Sequence, residues 1–282
     1  MRFLLASLLW LLTTAALAVA IPAAWAQTHL VDADGYAGLA QQAATQPALQ
    51  DAMAGELTTQ LVTLAANSGY DVQTDLLRAA ASAYTRSSVF PAQFATANRI
   101  AHRWLFTDAV AQSDSSGRWE IDLAPMLADT SFQKTLQDFG IQTPRTLAVP
   151  LTENAPDELR PGQLRQVGRW GPWVSVGATV LAGVLALLTL ATARARGKAL
   201  AALGVSALLV GAAGWAGLEI GRRYLNHALD QTSGDIRRIA DAMVAQAEGS
   251  VHQWLNLTLV IGGGLVIIGI IVALLGGLRG AQ

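Results

Sequence analysis

Cysteine is absent from these 282 residues. That excludes disulfides, so a domain held outside the cell draws its stability from packing or from docking on neighbouring helices. It also excludes the cysteine through which a lipoprotein is acylated. Histidine is nearly as scarce: His29, His102, His227 and His252 stand apart, and no two have the spacing of a zinc site. Charged residues make up only 14% of the chain, and the runs Phe3–Ala26, Trp170–Ala193, Ala199–Leu218 and Trp254–Leu278 contain none. No ionisable residue occupies the middle of any of these runs, where ion-coupled carriers and proton relays place one. Gly262-Gly-Gly264 lies inside the last run, so it is no phosphate loop; it permits close helix contact or a local kink.

Each uncharged run has 20 residues or more, enough at about 1.5 Å per residue to cross a hydrocarbon core of roughly 30 Å. Trp170, Trp173 and Trp254 sit at run ends, where an indole meets the membrane interface. All 20 acidic residues fall in 27–169 and 219–253, whereas Met1–Arg2, Arg194–Lys198 and Arg279–Gln282 hold five basic residues and no acid. Lys and Arg resist translocation, so the acid-free segments are expected in the cytoplasm. The expected fold is mainly α: a four-helix transmembrane bundle with a mostly helical exported domain carrying up to two short strands.

The expected segments are an N-terminal anchor or signal peptide over 1–26, the exported domain over 27–169, and a transmembrane hairpin over 170–218 with spans 170–193 and 199–218. An extracytoplasmic helical segment over 219–253 and a last helix with a short tail over 254–282 complete the chain. The setting this predicts is a bacterial plasma membrane, crossed several times, with both termini cytoplasmic. Ala24-Trp25-Ala26 has the small-x-small form of a signal peptidase site, yet Phe3–Ile21 exceeds the usual 7–15 residue signal core. Cleavage would put the new N-terminus outside; either reading exports the same domain.

Within the domain, an Ala-rich stretch over Asp34–Thr45 leads to Pro47, suited to a first helical position. Leu49, Met53, Leu57, Leu61 and Leu64 then recur on one helical face up to Asn67-Ser68-Gly69. A third helix is predicted from Gln73 to Ser87, and a fourth from near Pro91 carrying Phe94, Ala97, Ala101, Trp104 and Leu105. After the polar turn Ser113–Gly117, Trp119-Glu-Ile-Asp-Leu123 alternates as a half-buried strand does. A short helix from Pro125 to Phe139, a second strand candidate over Thr146–Leu151 and a connector over Pro156–Pro161 follow. In the second outside segment Ile236, Ile239, Met243, Val244, Ala247 and Val251 form an apolar stripe, expected to pack on the exported domain.

Three local patterns together resemble an uncharacterised family of actinobacterial integral membrane proteins: Asp32-Ala-Asp-Gly-Tyr36 followed by Gln46-Pro-Ala-Leu-Gln50, Phe94-Ala-Thr-Ala-Asn-Arg-Ile-Ala-His102, and Trp119-Glu-Ile-Asp-Leu-Ala-Pro125. The resemblance implies an N-terminal anchor, a mostly helical exported domain, C-terminal transmembrane helices and an envelope setting, and no activity. The very short N-terminus departs from the family pattern and leaves the anchor-or-signal question open.

Asn98, Arg99 and His102 are the candidates for chemistry, because Asn98 and His102 share a helical face and Asp122 could approach from the strand. A His–Asp pair can orient a general base, but Ser113, Ser115 and Ser116 lie in an ordinary polar turn without a glycine elbow. The competing reading is a buried hydrogen-bond network tying the helix to the strand. Asp32 and Asp34 read as helix-capping residues rather than cation ligands. Ala207, Gly211, Gly214 and Gly217 are candidate helix-packing positions in the third span. The segment Arg194–Lys198 could touch anionic headgroups, yet cytoplasmic anchoring accounts for it fully.

No catalytic, cofactor or metal residues are assigned. The 15 acids and 10 bases of 27–169 give a net of −5, which argues against nucleic acid or anionic lipid headgroups as the main partner of that segment. The expected partners are the lipid bilayer and a protein, either another species or a further copy of the chain. The expected function is non-enzymatic: an envelope membrane protein whose exported helical domain mediates protein interaction or complex assembly. The alternatives are a lipid-binding or lipid-handling accessory protein, with an apolar pocket in that domain, and a hydrolase dependent on His102.

Overall fold

Four helices are long and apolar enough to cross a membrane, Leu4–Val31, Arg165–Thr192, Arg196–His227 and Gly234–Gly276, in a computed structural model that describes residues 2–67, 73–107, 120–122, 148–150, 162–230 and 232–279. The described chain is thus mainly α, with four helices that suit a multi-pass membrane protein by length and composition. Two compact units are formed, one from 1–31, 169–228 and 248–282, the other from 32–168 and 229–247.

The first unit is the apolar bundle. Helix α1 (Arg2–Ala26) runs on into a π-helical turn over Gln27–Val31. A π turn shifts the backbone bonding, and the Thr28 hydroxyl donates to the Ala24 carbonyl at 2.9 Å and the Trp25 carbonyl at 3.1 Å. The other spanning helices, numbered in chain order after the four helices of the second unit, are α6 (Arg165–Thr192), α7 (Arg196–Ala228) and α8 (Gly234–Arg279). Polar side chains join α1 to its neighbours. The Trp10 indole N–H donates to the Ala202 carbonyl at 2.8 Å, Thr14 and Ser206 share a hydroxyl hydrogen bond of 2.8 Å, and Thr13 and Thr189 another of 3.4 Å. Further along, Trp25 Nε1 donates to Ser250 Oγ at 3.1 Å, His29 stacks on Trp25, and His252 stacks on Trp215 with ring centroids 4.0 Å apart. Indoles and imidazoles concentrated at one end of an apolar bundle suit a membrane interface.

Antiparallel α7 and α8 meet through glycine. A Cβ built on Gly204 would lie 2.6 Å from the Gly262 carbonyl oxygen, and one on Gly262 would lie 3.0 Å from the Gly204 carbonyl oxygen. Gly197 and Gly269 face one another in the same way, each against the other's backbone. With no driving force from water inside a bilayer, such backbone approach maximises dispersion contact between helices.

The second unit is a small helical domain. Asp32 caps α2 (Ala33–Ala43), its carboxylate accepting from the Gly35 N–H at 2.8 Å. Pro47 opens α3 (Pro47–Asn67); α4 (Thr74–Thr85) and α5 (Phe90–Phe106) follow. Ala40, Ala43, Ala44, Leu49, Tyr84, Phe90, Phe94 and Ala242 form the buried cluster, with Met53, Leu57, Ile239 and Met243 packed against it. Alanine on α2 brings the helices close, and the three aromatics fill what remains: Tyr84 meets Phe90 edge-on at 5.6 Å, and Phe90 meets Phe94 at 5.7 Å. Thus Ile239 and Met243 of the predicted stripe, with Ala242 between them, complete a core otherwise built by residues some 150 to 200 positions earlier, while Ile236 stays exposed. A glutamine ladder closes the rim: Gln46 donates to Gln246 at 2.6 Å, and Gln246 donates to Gln42 at 2.9 Å.

Strands β1 (Glu120–Asp122) and β2 (Ala148–Pro150) pair antiparallel, with Ile121 opposite Val149. The predicted turn Ser113–Gly117, the helix Pro125–Phe139, the connector Pro156–Pro161 and the Gly69 helix end lie outside the described residues.

Candidate functional site

The residues singled out for chemistry lie on α5, and α2 is the helix packed along them. Two of the sequence patterns, Asp32–Tyr36 and Phe94–His102, therefore meet in space. His102 is buried, 5% exposed. Its ring stacks on Phe106 with centroids 4.1 Å apart and planes 9° from parallel, and Tyr36 closes on it at 5.4 Å. Phe106 stands four residues on from His102, one helical turn, which is why their rings face each other. Tyr36 arrives from the first turn of α2, and burial pushes its phenol pKa above the ordinary value.

Arg99 points to the rim of the same seam. Its Nε donates to Asp34 at 3.0 Å, with 35% of the arginine side chain and 85% of the aspartate side chain exposed. Asn98 donates its amide N–H to the Phe94 carbonyl of its own helix at 2.9 Å. Asp122 lies on β1, opposite Ala148 in the strand register. The seam is an aromatic clamp with an ion pair on its lip. The buried imidazole lies flat on Phe106 with Tyr36 tilted against it, and the described partners of Arg99 and Asn98 are a surface carboxylate and a backbone carbonyl.

Other charges of the domain pair across its surface: Arg86 with Asp51 at 2.9 Å, Arg237 with Asp241 at 2.9 Å, and Arg238 with Asp235. Asp34 thus takes part in an ion pair and Asp32 in a cap, and among the described residues no group of three or more His, Asp or Glu side chains is placed to hold a metal.

Of the predicted packing positions, Ala207 is buried and its Cβ lies 3.1 Å from where a Cβ on Gly262 would stand. Gly211 faces Leu259 and Gly214 faces Leu255. Gly217 is different: a Cβ there would meet no described atom within 4 Å, so it takes no part in the contact. The tightest approaches involve Gly197, Gly204 and Gly269, which reading by local clusters of small residues passed over. A signal for them was present: Gly197, Gly204 and Gly211 recur every seven residues, as do Gly262 and Gly269, and a seven-residue step returns to nearly the same helical face.

Compared with protein-family models, curated proteins and solved structures, the chain matches none.

Proposed function

We propose that this chain is a multi-pass protein of a bacterial plasma membrane whose helical domain lies on the extracytoplasmic side and serves protein interaction or complex assembly. The observation that carries this reading is the close packing of α2 on α5 around a shared core. His102 packs against Phe106 and Tyr36, and Arg99 pairs with Asp34. An interaction domain needs a well-packed core and a stable surface, and the Ala-rich cluster closed by Ala242 supplies the first. Charge sorting supports the orientation, since all 20 acids lie in 27–169 and 219–253. The likeness of the Asp32–Tyr36 and Phe94–His102 patterns to an actinobacterial membrane family supports the envelope setting. The net negative charge of 27–169 favours a neutral or basic protein surface, or a second copy of the chain joined elsewhere, over nucleic acid.

Purification from native membranes in mild detergent tests the function. A second protein, or a further copy of this chain, is expected to co-purify in stoichiometric amount; a clean monomer with nothing attached refutes the reading. Orientation has its own test. A reporter active only in the cytoplasm should work when fused after Arg279 or within Arg194–Lys198, and be silent within Thr232–Gly234 or Ser113–Gly117. Activity within Ser113–Gly117 overturns the orientation.

A further inference from the structure

At one end of the bundle, α1, α6 and α7 line a half-open groove of about 840 Å³. Small side chains shape it. Ala6, Thr192 and Ala202 line it, and Trp10 forms part of its wall, held by the hydrogen bond from its indole to the Ala202 carbonyl. Two cations, Arg194 and Lys198, line the same groove, and both are exposed. They belong to the link between α6 and α7 and to the first turn of α7.

We propose that this groove binds one anionic phospholipid, its phosphate held by Arg194 and Lys198 and an acyl chain lying along Ala6, Trp10 and Ala202. The polarity changes in the direction that such a molecule requires. Arg194 stands where the chain turns between two spanning helices, the depth of lipid headgroups. Trp10 lies eight residues into α1 and Ala202 six residues into α7, roughly 12 Å and 9 Å further along. Arginine offers a planar pair of donors to phosphate oxygens and lysine a compact charge. No acid occurs in 194–198, so nothing there balances the ammonium of a zwitterionic lipid. Retention of positive loops accounts for the bases in the link, but it does not call for an alanine-lined groove beside them. A free phosphate would leave the alanine and indole wall unused, whereas an acyl chain covers it. The volume falls within the range of about 300–1,000 Å³ common for small-molecule sites.

Native mass spectrometry on the delipidated full chain tests this, with phosphatidylglycerol and phosphatidylcholine as the probes. The wild-type chain is expected to bind one phosphatidylglycerol in preference to phosphatidylcholine. The double substitution Arg194→Gln with Lys198→Gln should weaken phosphatidylglycerol binding roughly 30-fold and remove the preference, at the usual contribution of each basic residue near a membrane surface. Ala6→Leu keeps every charge, and so the topology signal, while filling the apolar part; it should weaken both lipids. Millimolar inorganic phosphate should not compete. Equal binding of the two lipids by the wild-type chain, a preference that survives the double substitution, Ala6→Leu binding as the wild type does, or displacement by inorganic phosphate would each overturn the proposal.

Discussion

Replacing Gly204 by alanine puts a single methyl group where the structure has no room for one. The new carbon would stand 2.6 Å from the Gly262 carbonyl oxygen, 2.7 Å from the Val266 nitrogen and 2.8 Å from Val266 Cγ2. Two of these three are backbone atoms, which cannot turn aside as a side chain can. Comfortable contact needs about 3.5–4.0 Å, so α7 and α8 must part locally by roughly 1 Å. Overpacking of this kind costs about 1–3 kcal/mol. Against it stands the better helix propensity of alanine, about 1 kcal/mol, for a net loss of up to roughly 2 kcal/mol. Gly217→Ala and Gly264→Ala carry the same propensity gain with no described atom within 4 Å, so they should be neutral or stabilising. Gly214→Ala should fall between, because the atoms it meets belong to the Leu255 side chain. Reversible unfolding in mixed micelles, followed by far-ultraviolet circular dichroism as the proportion of SDS rises, ranks the four. The expected order of midpoints places Gly217→Ala and Gly264→Ala highest, Gly214→Ala next and Gly204→Ala lowest. Equal or greater stability of Gly204→Ala relative to Gly217→Ala would refute the glycine contact.

Three further outcomes are expected. Phe90 is fully buried in the domain core, so Phe90→Ala should cost about 3–5 kcal/mol, whereas Arg99→Ala breaks a solvent-exposed pair and should change stability by less than about 1 kcal/mol; thermal unfolding that ranks them the other way contradicts the assigned burial. Because burial raises the Tyr36 pKa above the ordinary 10.0, the folded chain keeps a proton that the unfolded chain releases. Its contribution is whole below that pH and lost as pH rises through the folded value, so the stability difference between wild type and Tyr36→Phe should hold steady below about pH 10 and move in favour of Tyr36→Phe above it; a difference that stays flat to pH 12 argues against it. Finally, Trp10→Phe combined with Thr14→Val removes two hydrogen bonds between α1 and α7 and should cost about 1–2 kcal/mol in micelles, while no change at all would mean that α1 is not part of the folded bundle.

What was legible in the sequence was what local chemistry decides. An uncharged run of 20 residues or more needs no knowledge of its neighbours to be a spanning helix, because a bilayer lets the backbone satisfy its hydrogen bonds only within the helix. Helix starts were legible for the same reason. Asp32 caps α2 with its own carboxylate, and Pro47 opens α3 where its missing N–H costs nothing. The Ile236–Val251 stripe announced both a face to be covered and the domain that would cover it, and Ile239 and Met243 pack on that domain's core.

Which faces meet was decided only in three dimensions. Gly204 and Gly217 are alike in composition and surroundings, yet thirteen residues at about 100° each turn them roughly 140° apart, so one faces α8 and the other does not. Gly262 and its two following glycines differ in the same way: the first touches α7, while the second and third meet nothing described within 4 Å. The α2–α5 seam needed tertiary structure as well. Asp34 and Arg99 are 65 positions apart, and the sequence reading offered Asp122 as the cluster's acidic partner while taking Asp34 for a helix cap. The groove beside Arg194 and Lys198 was least legible of all. A groove is shaped by small side chains on several helices at once, and no single helix records how far away its neighbours stand.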